Sequence, residues 1–273
     1  MPPLTTLSNL GTLGSCAVIT GAASGIGRSI AHALARRGIN LVVADLDADR
    51  LDLVAAELGR AAPSLRILAV PTDVADAAQI NALCERAFAT LGRVDWLYNC
   101  AGILVSGASW EIDEATWKHV LDVNLWSAIR TTHAFVPRMI SQGSGHIVNV
   151  ASLAGLLVGP WVSAYTVSKH GMVALSETLH REFIELGLPL RMTIVCPGPV
   201  RTAIFDGLEQ QASEMHVAQT NQYLRLLGDN GMSPDQLAEL VLAGVDAGKL
   251  WVFPHEEILK GALRERMTTL LAV

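Results

Sequence analysis

Cys16-Ala17-Val18-Ile19-Thr20-Gly21-Ala22-Ala23-Ser24-Gly25-Ile26-Gly27, running on into an amphipathic stretch from Arg28 to Arg37, decides the fold. Cys16–Thr20 is apolar without alternation, as expected of a strand covered on both faces. The glycines then let the chain turn sharply and bring its backbone close to an anion. The stretch that follows reads as a helix, whose first turn offers free N–H groups and partial positive charge. Strand, glycine turn and helix in that order predict the first unit of a parallel α/β sheet.

The rest of the chain repeats the alternation. Leu41–Asp45, Ile67–Pro71, Val94–Asn99, His146–Ser152, Arg191–Pro197 and Leu250–Phe253 are short apolar runs read as strands, with amphipathic segments such as Asp49 to Leu58 between them. Right-handed crossovers then give a doubly wound sheet with helices on both faces. No repeat or low-complexity linker divides residues 1–273, so one domain is expected. Residues 1–14 read as a loose N-terminal arm. Residues 203–232 interrupt the pattern between a strand end and a helix opened by the capping box Ser233-Pro234-Asp235-Gln236, and are read as a substrate lid.

Composition narrows the class. The chain has 273 residues, of which 51% are apolar and 17% charged, so it can bury a full core. A net charge of -6 without a basic cluster argues against a nucleic-acid partner. No apolar run reaches the roughly 18 residues of a membrane span. The first positive charge is Arg28, so no secretory start is read, and a cytoplasmic location is expected. Cys16, Cys84, Cys100 and Cys196 form no Cys-x-x-Cys pair and are read as buried thiols. No histidine spacing suggests a metal site, and His119, His133, His146, His170, His180 and His255 receive no role.

The second strand ends at Asp45, about twenty residues after the glycine turn, where a carboxylate can accept from both hydroxyls of an adenosine ribose and repel a 2′-phosphate. No Arg or Lys precedes Gly27 in the turn, and Leu46 follows Asp45. The cofactor read from this pattern is NAD. Asp73-Val74 and Asn99-Cys100-Ala101-Gly102 end the third and fourth strands, at the carboxyl edge where such sheets bind ligands.

The chemistry is read from the segment Ser152 to Lys169. Tyr165 and Lys169 share a helix face at i, i+4 and follow a loop without charge. An ammonium about 5 Å from the phenol, at an effective dielectric of about 20, contributes roughly 3 kcal/mol, enough to lower a phenol by about two pH units. Tyr165 is therefore expected to act as acid and base, with Lys169 as a fixed charge and Ser152 as a hydrogen-bond partner of the substrate oxygen.

With these residues in view, the chain resembles the classical short-chain dehydrogenase/reductase family. The likeness spans about residues 14 to 255 and rests on Thr20-Gly-x-x-x-Gly-x-Gly27, Asp73, Asn99-x-Ala101-Gly102, Asn124, Ser152 with Tyr165 and Lys169, and Pro197-Gly198-x-Val200-x-Thr202. It implies a Rossmann-type sheet of seven parallel strands and hydride transfer between NAD and a secondary alcohol. Gly21, Ser24, Gly25, Ile26 and Gly27 would hold the dinucleotide phosphates, with Asp45, Asp73 and Val74 at its adenosine end. Asn99, Ala101 and Gly102 would support the sheet and line the cofactor site. Ile19, Val195 to Gly198 and Thr202 would flank the nicotinamide. Asn124 would hold a water in a proton relay from Tyr165 past Lys169. A homotetramer, or a homodimer, is implied as the assembly. Cys100 and Ala151 depart from the family's usual residues, and Cys100 is expected to be an inert buried thiol.

Leu153, Leu156, Val158 and Trp161, with Ile103 to Val105, suggest an apolar or aromatic substrate, since they offer no partner for a buried carboxylate or phosphate. The tail Trp251-Val-Phe-Pro254-His255 resembles family members that oxidise benzylic alcohols; steroid-like and other alicyclic alcohols are equally open. Two rival readings are an NADPH-dependent biosynthetic ketone reductase and a non-catalytic NAD(H)-binding regulator. The four residues Asn124, Ser152, Tyr165 and Lys169 favour an enzyme.

Overall fold

The computed structural model describes residues 14–206, 208 and 215–272. In chain order the elements are β1 (Cys16–Thr20), α1 (Gly25–Arg36), β2 (Asn40–Asp45), α2 (Ala48–Ala61), β3 (Ile67–Pro71), α3 (Ala77–Leu91), β4 (Trp96–Asn99), α4 (Glu114–Leu121), α5 (Ser127–Gln142), β5 (Gly145–Val150), α6 (Ser163–Glu185), β6 (Leu190–Val195), α7 (Met215–Asp229), α8 (Pro234–Asp246), β7 (Trp251–Val252) and α9 (Glu256–Leu271). Among the described residues the strands form one parallel sheet in the order β3-β2-β1-β4-β5-β6-β7. This is the doubly wound Rossmann-type sheet expected. The order reverses between β1 and β4, so the loops after these two strands flank the crevice where such sheets take a ligand.

The unbroken apolar strands are explained by packing on both faces. In β1, Cys16 and Val18 join a core that includes Leu97, Phe135 and Met172, while Ala17 and Ile19 join another that includes Leu34, Leu41 and Leu242. Strand boundaries differ from the sequence reading at a few ends. β4 begins at Trp96, although the Asp95 backbone already bonds to Cys16 O (2.8 Å) and the His146 amide (2.9 Å), and its carboxylate accepts from the Cys16 amide (2.9 Å). β5 stops at Val150, although the Ala151 amide still reaches Val195 O (2.8 Å). No helix among the described residues is long and apolar enough to cross a membrane.

α1 starts three residues before the amphipathic run, because Gly25 to Gly27 form its first turn. α2, α3 and α4 are capped by the side chains of Asp47, Asp76 and Asp113. At α1 the N-cap Ser24 makes no such bond, so the first-turn amides stay available to a ligand.

The expected lid is described in part; residues 207 and 209–214, like 1–13 of the expected arm, lie outside the described residues. Around them, the Phe205 ring covers Gly228 of α7, where a Cβ would come within 2.4 Å of the ring, and the Asn221 amide of α7 donates to Leu208 O.

Candidate active site

The cofactor end of the crevice is a cavity of about 450 Å³ at the carboxyl edge of β1, β2, β3 and β4. Gly21, Ser24, Gly25, Ile26, Gly27, Asp45, Asp73, Val74, Ala101, Gly102 and Thr202 all line it, as do Leu46, Thr72, Ile103 and Leu104. Gly21 has φ +67°, and a Cβ there would lie 2.8 Å from the Ala101 backbone. A Cβ on Gly27 would lie 2.2 Å from Gly21 O. The turn therefore closes only with glycine at both places. Asp45 accepts from the Ala23 amide through Oδ2 (2.9 Å) and from the Asp47 amide through Oδ1 (3.1 Å), so β2 and the glycine turn share one carboxylate.

Among the described residues, the charged side chains that line this cavity are Asp45, Asp73 and Asp206, and no Lys or Arg lines it. Arg28 pairs with Glu57 of α2 (2.6 Å) and, with Arg201, lines an adjoining hollow that shares Gly25 and Thr202 with this cavity. Free turn amides, a first helical turn without a cap and a carboxylate at the β2 end fit a dinucleotide.

Asn99 has a structural task. Its Nδ2 donates to Asn149 Oδ1 (2.8 Å), whose Nδ2 donates to Ser176 Oγ (2.8 Å), and Thr131 donates to Asn99 Oδ1 (3.1 Å). This buried chain ties β4, β5, α5 and α6 together beneath the site, and Asn99 does not line the cavity.

Asn124 lies in a π-turn, Asp122–Trp126, between α4 and α5. Such turns often mark functional positions in helices. The buried side chain donates to Ile103 O (2.9 Å) and Ser168 Oγ (3.0 Å) and accepts from Ile103 N (2.8 Å). It thereby fixes the loop after β4 against α6.

Tyr165 and Lys169 stand one turn apart on α6, facing Ser152 after β5. Lys169 is buried; its Nζ donates to Val150 O (3.0 Å) and lies 5.6 Å from the centroid of the Tyr165 ring. A Cβ on Gly102 would sit 3.5 Å from Nζ and 3.4 Å from Asn124 Oδ1, so lysine, asparagine and the end of the β4 loop converge. Ser152 Oγ accepts from the Ala154 amide (3.1 Å).

Among the protein's own groups, burial dominates the electrostatics of this site. Burial pushes the Tyr165 phenol up, and the Ser152 hydroxyl opposes this in part. Burial also brings Lys169 down to about 8. The lysine gives its hydrogen bond to a main-chain carbonyl and faces the phenol's ring, so desolvation outweighs the attraction expected from an i, i+4 cation. Cys100 and Cys196 are both pushed up to about 12 by burial, which makes them poor nucleophiles.

The four residues expected to form substrate walls separate. Leu153 is buried in the core and Leu156 packs against it, since the short turn after Ser152 lies flat on α6. Val158 is exposed. Trp161 has φ +65°, its carbonyl accepts from the Gly107 amide (2.9 Å), and its ring meets Trp110 edge-on (6.3 Å).

The last expected segment, Pro197 to Thr202, reaches the cavity only at Thr202. Pro197 O accepts from the Leu153 amide (2.9 Å), Val200 bridges Met232, and the Thr202 methyl would meet a Cβ on Gly25 at 3.0 Å. Sequence reading gave His255 no role, yet its Nδ1 accepts from the Gly198 amide (3.0 Å). Its place just beyond the carboxyl end of β7 is the signal that could have found it.

A profile of the short chain dehydrogenase family matches residues 15–213. The 1-deoxy-11-beta-hydroxypentalenate dehydrogenase of Streptomyces exfoliatus is 32% identical over 244 residues, covering 88% of this chain and 83% of its own. A short chain dehydrogenase/reductase from Burkholderia phymatum, solved in complex with NAD, superposes with a TM-score of 0.89 at 31% identity over 95% of both chains. A short-chain dehydrogenase from Sphingobium yanoikuyae, solved with NADPH, gives 0.75 at 28% identity over 93% of this chain and 95% of its own. The glycine turn, the Ser152–Tyr165–Lys169 grouping and these likenesses agree: the chain belongs to the classical short-chain dehydrogenase/reductase family and is an oxidoreductase.

Proposed function

We propose that this chain, by its family an NAD(P)-dependent oxidoreductase of alcohols and carbonyl compounds, uses NAD and acts on a secondary alcohol or ketone of apolar or aromatic character. The observation that carries the reading is the grouping of Ser152, Tyr165 and Lys169 next to Gly102, which lines a cavity that also presents Asp45 and, among the described residues, no cationic side chain. The Burkholderia relative with NAD supports the choice of cofactor, since it is more similar to this chain than the Sphingobium enzyme with NADPH.

When bound, the nicotinamide ring supplies the acceptor or donor of hydride. The protein supplies the proton chemistry. Tyr165, protonated because burial holds its phenol up, is ready to give its proton to a carbonyl oxygen in the reducing direction. In the oxidising direction the same phenol must first lose that proton, and the Lys169 cation makes its anion tolerable. Ser152 donates to the same substrate oxygen and holds it at the tyrosine. The Asn124 side chain is committed to Ile103 and Ser168, which fixes the residue that would hold a water in a proton relay past Lys169.

Residues 203–232 act in this proposal as the lid over the substrate. Exposed Trp126 and Val167, on the outer side of the π-turn and α6, offer apolar surface for the further subunits of a homotetramer or homodimer. The cysteines are all free thiols, which suits the cytoplasm.

Turnover of a panel of aryl and alicyclic secondary alcohols with NAD tests the reading. Oxidation of several uncharged members is expected. Preference for a charged sugar or a carrier-linked acyl substrate would refute the apolar site, and NADH binding without turnover of any alcohol or ketone would favour a regulator.

A further inference from the structure

Two loops flank Tyr165, and both are held from outside by one helix that no part of the family match reaches. The first loop is Pro197 to Thr202. Its middle is fixed by His255, whose ring lies against Gly198: a Cβ there would meet the ring's Cγ at 3.0 Å, and Nδ1 accepts from the Gly198 amide. The same loop reaches Leu153 through Pro197 O, and Met232 through Pro199 O (3.1 Å) and the Arg201 amide (3.0 Å). A shift at Gly198 is therefore felt at the Ser152 turn and at the start of α8.

The second loop follows Ser152. Its carbonyl at Leu156 accepts from the Arg266 guanidinium, which also lies 2.9 Å from His170 Nε2. His170 Nδ1 is 3.0 Å from Thr166 O, so Nδ1 carries the proton and Nε2 is free to accept from arginine. One guanidinium thus joins the turn after Ser152 to the residue next to Lys169. His255 immediately precedes α9 and Arg266 lies in its third turn. Leu259 and Leu263 between them pack against the core that contains Leu153 and Met172, so the helix is seated.

We infer that α9 is a strap, with His255 and Arg266 as positioning residues that set the two loops on either side of Tyr165. Neither touches the reacting atoms. The catalytic consequence rests on the dehydrogenase reading above; the physical claim about the loops does not.

Hydrogen exchange of the full-length protein, followed by mass spectrometry, separates the two. Wild type is compared with His255→Leu, His255→Asn, Arg266→Met and Arg266→Lys. Asparagine offers Oδ1 to the Gly198 amide and lysine can still donate to Leu156 O, so each is the conservative partner of a variant that cannot. His255→Leu should speed exchange in 197–202 and Arg266→Met in 153–157, each by about tenfold, as expected for the loss of one buried hydrogen bond. His255→Asn and Arg266→Lys should restore most of the protection. In turnover of whichever alcohol the panel identifies, the loss in kcat/KM should be about five- to tenfold and fall mainly on KM, as displaced walls weaken binding.

Unchanged exchange in both loops, or leucine and asparagine behaving alike at 255, would overturn the strap. If the wild type oxidised no alcohol, the exchange arm would still decide the matter, and only the function proposed above would fail. Should His255→Leu not fold, the His255→Asn and Arg266 variants carry the same comparison.

Discussion

Replacing Asp45 by asparagine removes one charge while keeping an oxygen for the Ala23 amide, which Asp45 holds at 2.9 Å in the native chain. That choice matters, because alanine would also loosen the glycine turn. A 2′-phosphate placed within about 5 Å of the Asp45 carboxylate, at an effective dielectric of about 20, is repelled by roughly 3 kcal/mol per unit of charge. That corresponds to at least about a hundredfold in selectivity. Among the described residues that line the cavity no cation offsets the repulsion: Asp73 and Asp206 share its sign, and Arg28, in the adjoining hollow, is paired with Glu57. The assay is kcat/KM for NAD and NADP with one alcohol, in wild type and Asp45→Asn. Wild type should favour NAD by about a hundredfold or more, and the variant should bring the two cofactors within about tenfold of each other. A wild type that favours NADP, or a variant that keeps the native preference, would refute the assignment of cofactor choice to this carboxylate.

Gly27→Ala places a Cβ 2.2 Å from Gly21 O, a backbone atom that cannot yield cheaply. Overpacking of this kind costs about 1–3 kcal/mol, and thermal unfolding together with NADH fluorescence titration should show a lower midpoint and weaker cofactor binding. His146 is held down to about 3 by burial, with its Nε2 at 2.9 Å from Thr193 Oγ1. Between pH 6.5 and about 3 the unfolded chain binds a proton here that the folded chain does not. Stability should therefore be complete above pH 6.5 and fall with acid by up to about 1.4 kcal/mol per pH unit from this residue. Urea unfolding across that window should show a shallower pH slope in His146→Gln than in wild type.

Much of the fold was legible because its signals are local. Cys16–Thr20 and Ile67–Pro71 are strands to the residue: the first is buried throughout, as an unbroken apolar run predicts, and the second is the partly exposed edge strand. The glycine turn and Asp45 were readable because close backbone approach leaves so few residue choices. What escaped the sequence depends on partners far along the chain. Asn99 stands at a strand end that suggests ligand contact, but Asn149 and Thr131 claim its side chain. His255 and Arg266 act on residues 57 and 110 positions away, a pairing no periodicity encodes. The Tyr165–Lys169 spacing places a cation one turn from the phenol but is silent on how much water both groups lose, and burial moves the phenol up and the lysine down.

The account turns on the Tyr165 phenol exchanging a proton with the substrate oxygen. Tyr165→Phe keeps the ring on α6 and removes only that hydroxyl, so NADH titration and the unfolding midpoint should match wild type. Turnover of the best alcohol with NAD should then fall by about a hundred- to ten-thousandfold, the usual share of general acid–base catalysis. Turnover at the wild-type rate, in variant protein that folds and binds NADH normally, would contradict the account.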